Sequence, residues 1–337
     1  MAYTDIDNPE LYFQTKLYTG TGSALSVTLD GSENMKPDWI WIKERNASDS
    51  AHNLTDSVRG AGKGLFSNTT SAEYDYGTGT DGSVRTFNTD GFTLGTATQV
   101  NPSGVNMVSW NWKKVAGVFD IQTYAGNNTG SRQVSHNLGV VPSLIIIKNR
   151  TNAAGWFTGT TAIPFTWNTD YLQLNETGAK YTDGNGHTFG AIPTSSYFVP
   201  GDNNDTNGNS NNYVAYLFGN KQGVSKVGSY KGNGNADGTF VFLGFKPAFL
   251  MVKRTDSTND WRMFDNKRDP DNGIINTLKA NTTDVAEDSS ALFDFTANGF
   301  KGRNTDYSMN ASGGTYVYMA FAEQPFVSSS GVPATAR

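Results

Sequence analysis

The 337 residues carry 31 acidic against 26 basic side chains, a formal net charge of −5 with no long run of either sign, so no basic stripe offers phosphate contacts to a nucleic acid. Cysteine is absent, which excludes disulfides and thiolate metal sites and leaves stability to packing or to association with other chains. Hydrophobic residues make up only 36%, yet aromatics reach 12% and glycines number 37, a mixture suited to many short strands joined by tight turns.

Met1-Ala2-Tyr3-Thr4-Asp5-Ile6-Asp7 has neither the basic start nor the apolar run of a signal peptide, which predicts synthesis in a cytoplasm. No stretch has the length of a membrane-spanning helix, so no membrane insertion is expected. Residues 1–16 read as an N-terminal arm that packs on a neighbour or on the first domain.

Pro37-Asp38-Trp39-Ile40-Trp41-Ile42-Lys43 follows, and it returns as Pro142-Ser143-Leu144-Ile145-Ile146-Ile147-Lys148 and as Pro247-Ala248-Phe249-Leu250-Met251-Val252-Lys253. Both intervals are 105 residues, which divides the chain into three copies of one unit. Proline opens each copy, where a missing N–H does least harm, and the positions after it alternate with period 2. One face carries Ile40 and Ile42, Ile145 and Ile147, Leu250 and Val252; the other carries Trp39 and Trp41, Leu144 and Ile146, Phe249 and Met251. A strand apolar on both faces is buried on both. The closing lysines Lys43, Lys148 and Lys253 are expected to snorkel outward or to pair with a carboxylate.

Other motifs recur around this strand. Tyr18-Thr19-Gly20, Tyr124-Ala125-Gly126 and Tyr230-Lys231-Gly232 open the units at intervals of 106. Asp56 and Arg59 of the first unit match Asp265 and Arg268 of the third, whereas the second has Trp156-Phe157-Thr158-Gly159 in that region. Asn68-Thr69-Thr70 recurs as Asn281-Thr282-Thr283, each with a glutamate soon after, Glu73 and Glu287. Asn88-Thr89-Asp90-Gly91-Phe92 and Ala297-Asn298-Gly299-Phe300 are hairpin signals, since Asp-Gly and Asn-Gly tolerate positive φ. The units close on Val108–Trp112, Val214–Phe218 and Val317–Phe321, and short connections between units predict a rigid array. The divisions are an arm over 1–16, β-sandwich repeats over 17–115, 119–222 and 225–325, and a C-terminal tail over 326–337, free or packed as a second arm.

Signals for chemistry are sparse. His52, His136 and His187 fall at different places in their repeats, and no Gly-x-Ser-x-Gly elbow accompanies them, so they read as surface or turn histidines and no catalytic residue is assigned. Gly60-Ala61-Gly62-Lys63-Gly64 lacks phosphate-loop spacing and reads as a solvated turn. A polysaccharide-degrading enzyme would need two carboxylates about 5–10 Å apart, and Glu73 and Glu287 lie in separate units. No cofactor and no metal are expected. The loop at residues 201–212 is nonetheless rich in oxygen donors, among them Asp202, Asn203, Asp205 and Asn207, which could serve calcium or a sugar. Trp156, Trp167, Trp261 and Tyr307 are the candidate rings for stacking on a sugar. Trp156 and Trp261 lie 105 residues apart, which favours a shared packing role for that pair.

The series Tyr18 and Gly20, Pro37 to Lys43, Asp56, Arg59, Asn68, Glu73, Asp90 to Phe92 and Trp110 to Trp112, with its partners in the third unit, resembles a repeated domain of marine bacteriophage tail-fibre-like and virion structural proteins. The resemblance covers nearly the whole chain and departs in the middle of the second unit. It implies an all-β fold of three tandem lectin-like β-sandwich repeats, of the jelly-roll or concanavalin kind, each about 105 residues long. It also implies a place on a virion and no catalytic residue. The expected function is therefore that of a non-enzymatic virion protein, tail-associated and adsorbing to host-surface polysaccharide, or alternatively a capsid decoration or tail-bracing protein. Expected partners are other virion proteins and further copies of the same chain.

Overall fold

The protein, described here from a computed structural model over residues 3–47, 50–184 and 188–334, is built from antiparallel β-sheets packed as sandwiches. Among the described residues helical geometry is confined to Pro9–Leu11 and Tyr307–Asn310.

The strand expected at Pro37–Lys43 forms as Trp39–Glu44, and its echoes form as Leu144–Asn149 and Phe245–Arg254. Each lies inside a sheet with the same strand order. In the first lobe that order is Phe13–Thr19, Asn106–Trp112, Trp39–Glu44, Asn53–Asp56. In the second it is Phe119–Ala125, Asn212–Phe218, Leu144–Asn149, Trp156–Thr160. In the third it is Ser225–Lys231, Thr315–Pro325, Phe245–Arg254, Arg262–Asp265. The first strand thus starts within the stretch read as an arm, because Phe13 already pairs with Trp112.

A second layer of short strands covers one face of each sheet, and it contains the expected hairpins, with Asn88 opposite Gly91 and Thr296 opposite Gly299. Gly91 has φ +99°, and a Cβ there would lie 2.0 Å from the Val27 carbonyl oxygen, so the turn admits no side chain.

The two faces of the central strands go to different cores. The smaller face meets the second layer of its own lobe: Ile40 and Ile42 pack with Val27, Val84 and Phe92. Ile145 and Ile147 pack with Phe189 and Phe198, and Leu250 and Val252 with Phe293 and Phe300. The bulkier face of all three strands enters one shared cluster, where Trp39, Trp41, Leu144, Ile146, Phe249 and Met251 meet Trp110, Trp112, Tyr216, Phe218, Met319 and Phe321. Rings stack across lobe boundaries, with Trp39 on Tyr216 at 4.5 Å and Phe13 on Phe321 at 5.1 Å. Each such side chain stabilises the body by about 1.5–3 kcal/mol through burial.

The lobe junctions use one set of hydrogen bonds three times. Trp156 Nε1 of the second lobe donates to the Phe66 carbonyl of the first at 2.8 Å, and Trp261 Nε1 of the third donates to the Gln173 carbonyl of the second at 2.8 Å. His52 Nε2 of the first lobe completes the set on the Lys279 carbonyl of the third, at 2.9 Å. Across the same three junctions the amides of Glu73, Lys180 and Ala286 donate in the opposite direction, to the carbonyls of Arg150, Thr255 and Arg45. A head-to-tail contact repeated in this way closes when the last copy meets the first. The array expected from the short connections is therefore a closed ring of three lobes.

Two expectations are corrected by this closure. Lys43, Lys148 and Lys253 neither snorkel nor depend on a carboxylate: all three are buried and donate to the carbonyls of Thr283, Thr70 and Thr177 in the adjoining lobe, at 2.9, 3.2 and 3.1 Å. Burial pulls the Lys148 amine down to about 8 and the Lys253 amine to about 7. His52 is not a surface residue either, but is fully buried at the position that Trp156 and Trp261 fill elsewhere. Trp41 Nε1 donates to its Nδ1 at 2.8 Å, which leaves Nε2 to carry the proton toward Lys279.

Candidate functional site

The candidate rings divide by burial. Trp156 and Trp261 are fully enclosed and hold the junctions just described, so neither offers a face to a sugar. Their common interval reports a shared packing role. Trp167 is also buried, edge-on to Phe165 and Phe189 in the core of the second lobe. Tyr307 alone of the four is exposed, at 64%, and it stands at the start of the short helix capped by Asp306.

The Asn- and Asp-rich loop is tied into the scaffold. Asn203 Oδ1 accepts the amides of Asp205 and Thr206, which fixes the loop as an Asx turn. Asn207 is fully buried, and its amide nitrogen donates to Thr129 O and Gly201 O while its Oδ1 accepts the Asn127 amide. Burial raises the Asp205 carboxyl above its ordinary value against the pull of Lys148. Asp202 lies within 3.6–3.7 Å of where a Cβ on Gly130 would stand.

The same clamp occurs in each lobe and was only half visible in the sequence. Asn101 Oδ1 accepts the Thr21 amide, and Asn310 Oδ1 accepts the Asn233 amide. The tyrosine of each opening Tyr-x-Gly motif donates its hydroxyl to the carbonyl just before the clamping asparagine: Tyr18 to Val100, Tyr124 to Thr206 and Tyr230 to Met309, at 2.7, 2.6 and 2.8 Å. The following glycine permits the contact, since a Cβ on Gly20 would sit 2.0 Å from the Pro102 carbonyl oxygen. Asn-x spacing near 105 between residues 101, 207 and 310 was the available signal.

The Asp-x-x-Arg motif is a buried ion pair shared between lobes. Arg59 Nε pairs with Asp56 and its NH1 reaches Glu73 Oε2 at 3.0 Å, while Arg268 Nε meets Asp265 Oδ2 at 2.6 Å. Burial opposes the Arg59 charge, but Asp56, Tyr216 and Glu73 outweigh it and hold the guanidinium well above its ordinary value. Each aspartate also takes a donor from the next lobe, Tyr216 OH on Asp56 at 2.8 Å and Trp110 Nε1 on Asp265 at 3.0 Å. In the second lobe the aspartate position is Thr160, opposite Leu144, and the donor position in the third lobe is Met319. Where no donor arrives, the buried charge is absent too.

Glu73 and Glu287 are not equivalent in space. Glu73 bridges Arg59 and Arg150, the latter at 2.9 Å, whereas Glu287 pairs with Lys279. Gly60 and Gly62 take positive φ in a turn ended by the Lys63–Asp75 ion pair. His136 is neither a surface nor a turn residue but is buried directly after the short strand Val134–Ser135, with Nε2 3.1 Å from the Thr194 carbonyl, and His187 lies outside the described residues. Among the described residues, no group of three or more His, Asp or Glu side chains is placed to hold a metal ion.

No curated protein and no solved structure matches this chain. Residues 8–325 do match one protein family, across all three lobes and both linkers, so the chain belongs to the family described as "Domain of unknown function (DUF7483)".

Proposed function

We propose that this chain is a structural protein of a bacteriophage virion, tail-associated and non-enzymatic, that adsorbs to host-surface polysaccharide. The observation that carries the reading is how the recurring motifs are used. The Tyr-x-Gly clamp, the central strand and the Asp-x-x-Arg pair all serve the scaffold. Recognition is then left to the segments between them, such as the loop that exposes Tyr307. Three loop sets on one closed body, multiplied by association of further copies, turn weak sugar contacts into firm adsorption through effective concentration.

The described parts of the terminal segments are held against the body. Tyr3 OH donates to the Gly244 carbonyl at 3.1 Å, Asp5 pairs with Lys221 at 2.9 Å, and the Ser329 amide donates to Asp7 at 2.6 Å. The N-terminal segment therefore packs on the third lobe, on the connection that leads into it and on the C-terminal segment.

Immunogold labelling of intact particles with antibody against this chain tests the placement. Gold at the tail is the expected result. Gold over the head would replace this reading with capsid decoration, and unlabelled particles would end the virion proposal altogether.

A further inference from the structure

We propose that the junction between the second and third lobes is a binding site for a neutral, hydroxyl-rich sugar; this rests on the polysaccharide-adsorption reading and gives it a location. A shallow, open groove of about 560 Å³ lies there between Asn175–Gly178 and Tyr181 on one side and Thr258, Asp260 and Thr282 on the other. That is the size range of small-molecule sites.

The lining has the chemistry that a pyranose requires. Tyr181 is the outermost ring of a ladder, 5.0 Å from Tyr171 and nearly parallel to it, with Phe157 behind at 5.3 Å. The ring is partly exposed, with its hydroxyl end against Gly178, and the exposed part offers an apolar surface to the C–H face of a sugar. Two carboxylates are positioned in advance: Glu176 Oε2 accepts the Tyr181 hydroxyl at 3.0 Å, and Asp260 Oδ1 accepts the Asn281 amide at 2.7 Å. Carboxylates only accept, so the ligand must donate, as sugar hydroxyls do; Lys279, 3.8 Å from Asp260 Oδ2, offsets part of that charge, and the two acceptors together still disfavour a uronate or other acidic sugar.

The other two junctions supply an internal comparison. Asn68, Asn175 and Asn281 are matched by their bonds to the amides of His52, Trp156 and Trp261. Counting from these, the place of Glu176 is taken by Thr69 and Thr282, and that of Asp260 by Ala51 and Gly155. The place of Tyr181 is Tyr74 in the first lobe and Glu287 in the third. At the first junction, moreover, the Glu73–Arg150 ion pair spans the two lobes, and the matching positions at the second are Lys180 and Thr255. The ring and both carboxylates come together at one junction of the three. Scaffold needs do not explain the two carboxylates, since the other junctions close without either.

The test uses the full chain on an array of bacterial surface polysaccharides, including neutral and uronate-containing members. The expected result is binding to neutral members, weakened about tenfold or more by Tyr181→Ala and by Asp260→Ala, and unchanged by Tyr74→Ala at the matching surface position. Melting temperatures of the variants show that the fold is kept. Binding that survives both groove substitutions would overturn this site and leave the adsorption reading standing. No binding by the unaltered protein would overturn both, and preference for acidic polysaccharides would overturn the groove chemistry.

Discussion

Trp110 in the first lobe donates its indole N–H to Asp265 in the third at 3.0 Å, so the carboxylate that neutralises Arg268 also fastens two lobes together. Removing it leaves a buried guanidinium without a counter-ion. Asp265→Ala should destabilise the protein by about 3–5 kcal/mol in a denaturant titration. Thr160→Ala, at the matching place in the second lobe, should cost less, about 1–2 kcal/mol, because two neutral bonds are lost, the hydroxyl's donation to the Ser143 carbonyl and its acceptance of the Ala162 amide.

Burial, helped by the nearby Lys43 charge, holds the His52 imidazole well below its ordinary value, and both ring nitrogens are already engaged. The unfolded chain therefore takes up a proton there that the folded chain refuses. Stability from this site is complete above the ordinary histidine value of 6.5 and falls as the pH drops below it. His52→Gln should flatten that part of the curve of unfolding free energy against pH, with the carboxylate-driven loss at lower pH unaltered.

The shared cluster of bulky residues joins all three lobes. Heating should consequently give one cooperative transition, with calorimetric and van't Hoff enthalpies in agreement. Residues 119–222 expressed alone should fail to fold, since Leu144, Ile146, Trp156 and Tyr216 would face water. Three separate transitions would contradict the common core.

Trp156 should behave as a structural residue. Trp156→Ala removes a buried ring and a bond between lobes and should cost about 3–5 kcal/mol in chemical denaturation. Under conditions where the variant remains folded, the glycan binding proposed for the groove should equal that of the unaltered protein.

The fold was legible where a local pattern determined it. Period-2 alternation in Ile40-Trp41-Ile42 identified the central strand, and Asp90-Gly91 identified its hairpin. Alternation cannot say what each face meets. The face bearing Trp39 and Trp41 turned out to meet two other lobes, so Lys43 at its end met a neighbouring carbonyl instead of solvent. Trp156 and Trp261 were candidates for sugar contact on the same ground, since sequence gives residue type and spacing but not enclosure. The groove at the second junction was invisible for a further reason. Glu176 and Asp260 lie 84 positions apart and belong to different lobes, and only closure of the ring brings them to one surface.

Covalent linkage of the three lobes frees each junction to change by itself. In an assembly of three identical chains every substitution appears three times, so a new contact must suit all the interfaces or none. Here Thr160 in the second lobe and Met319 in the third stand where the other junctions have an aspartate and its donor, while Asp56 and Asp265 hold those places elsewhere. The association is also indifferent to dilution, because lobes on one chain cannot drift apart as separate subunits do. A molecule so built keeps the strength of a trimer while evolving as a single gene with three independently editable seams.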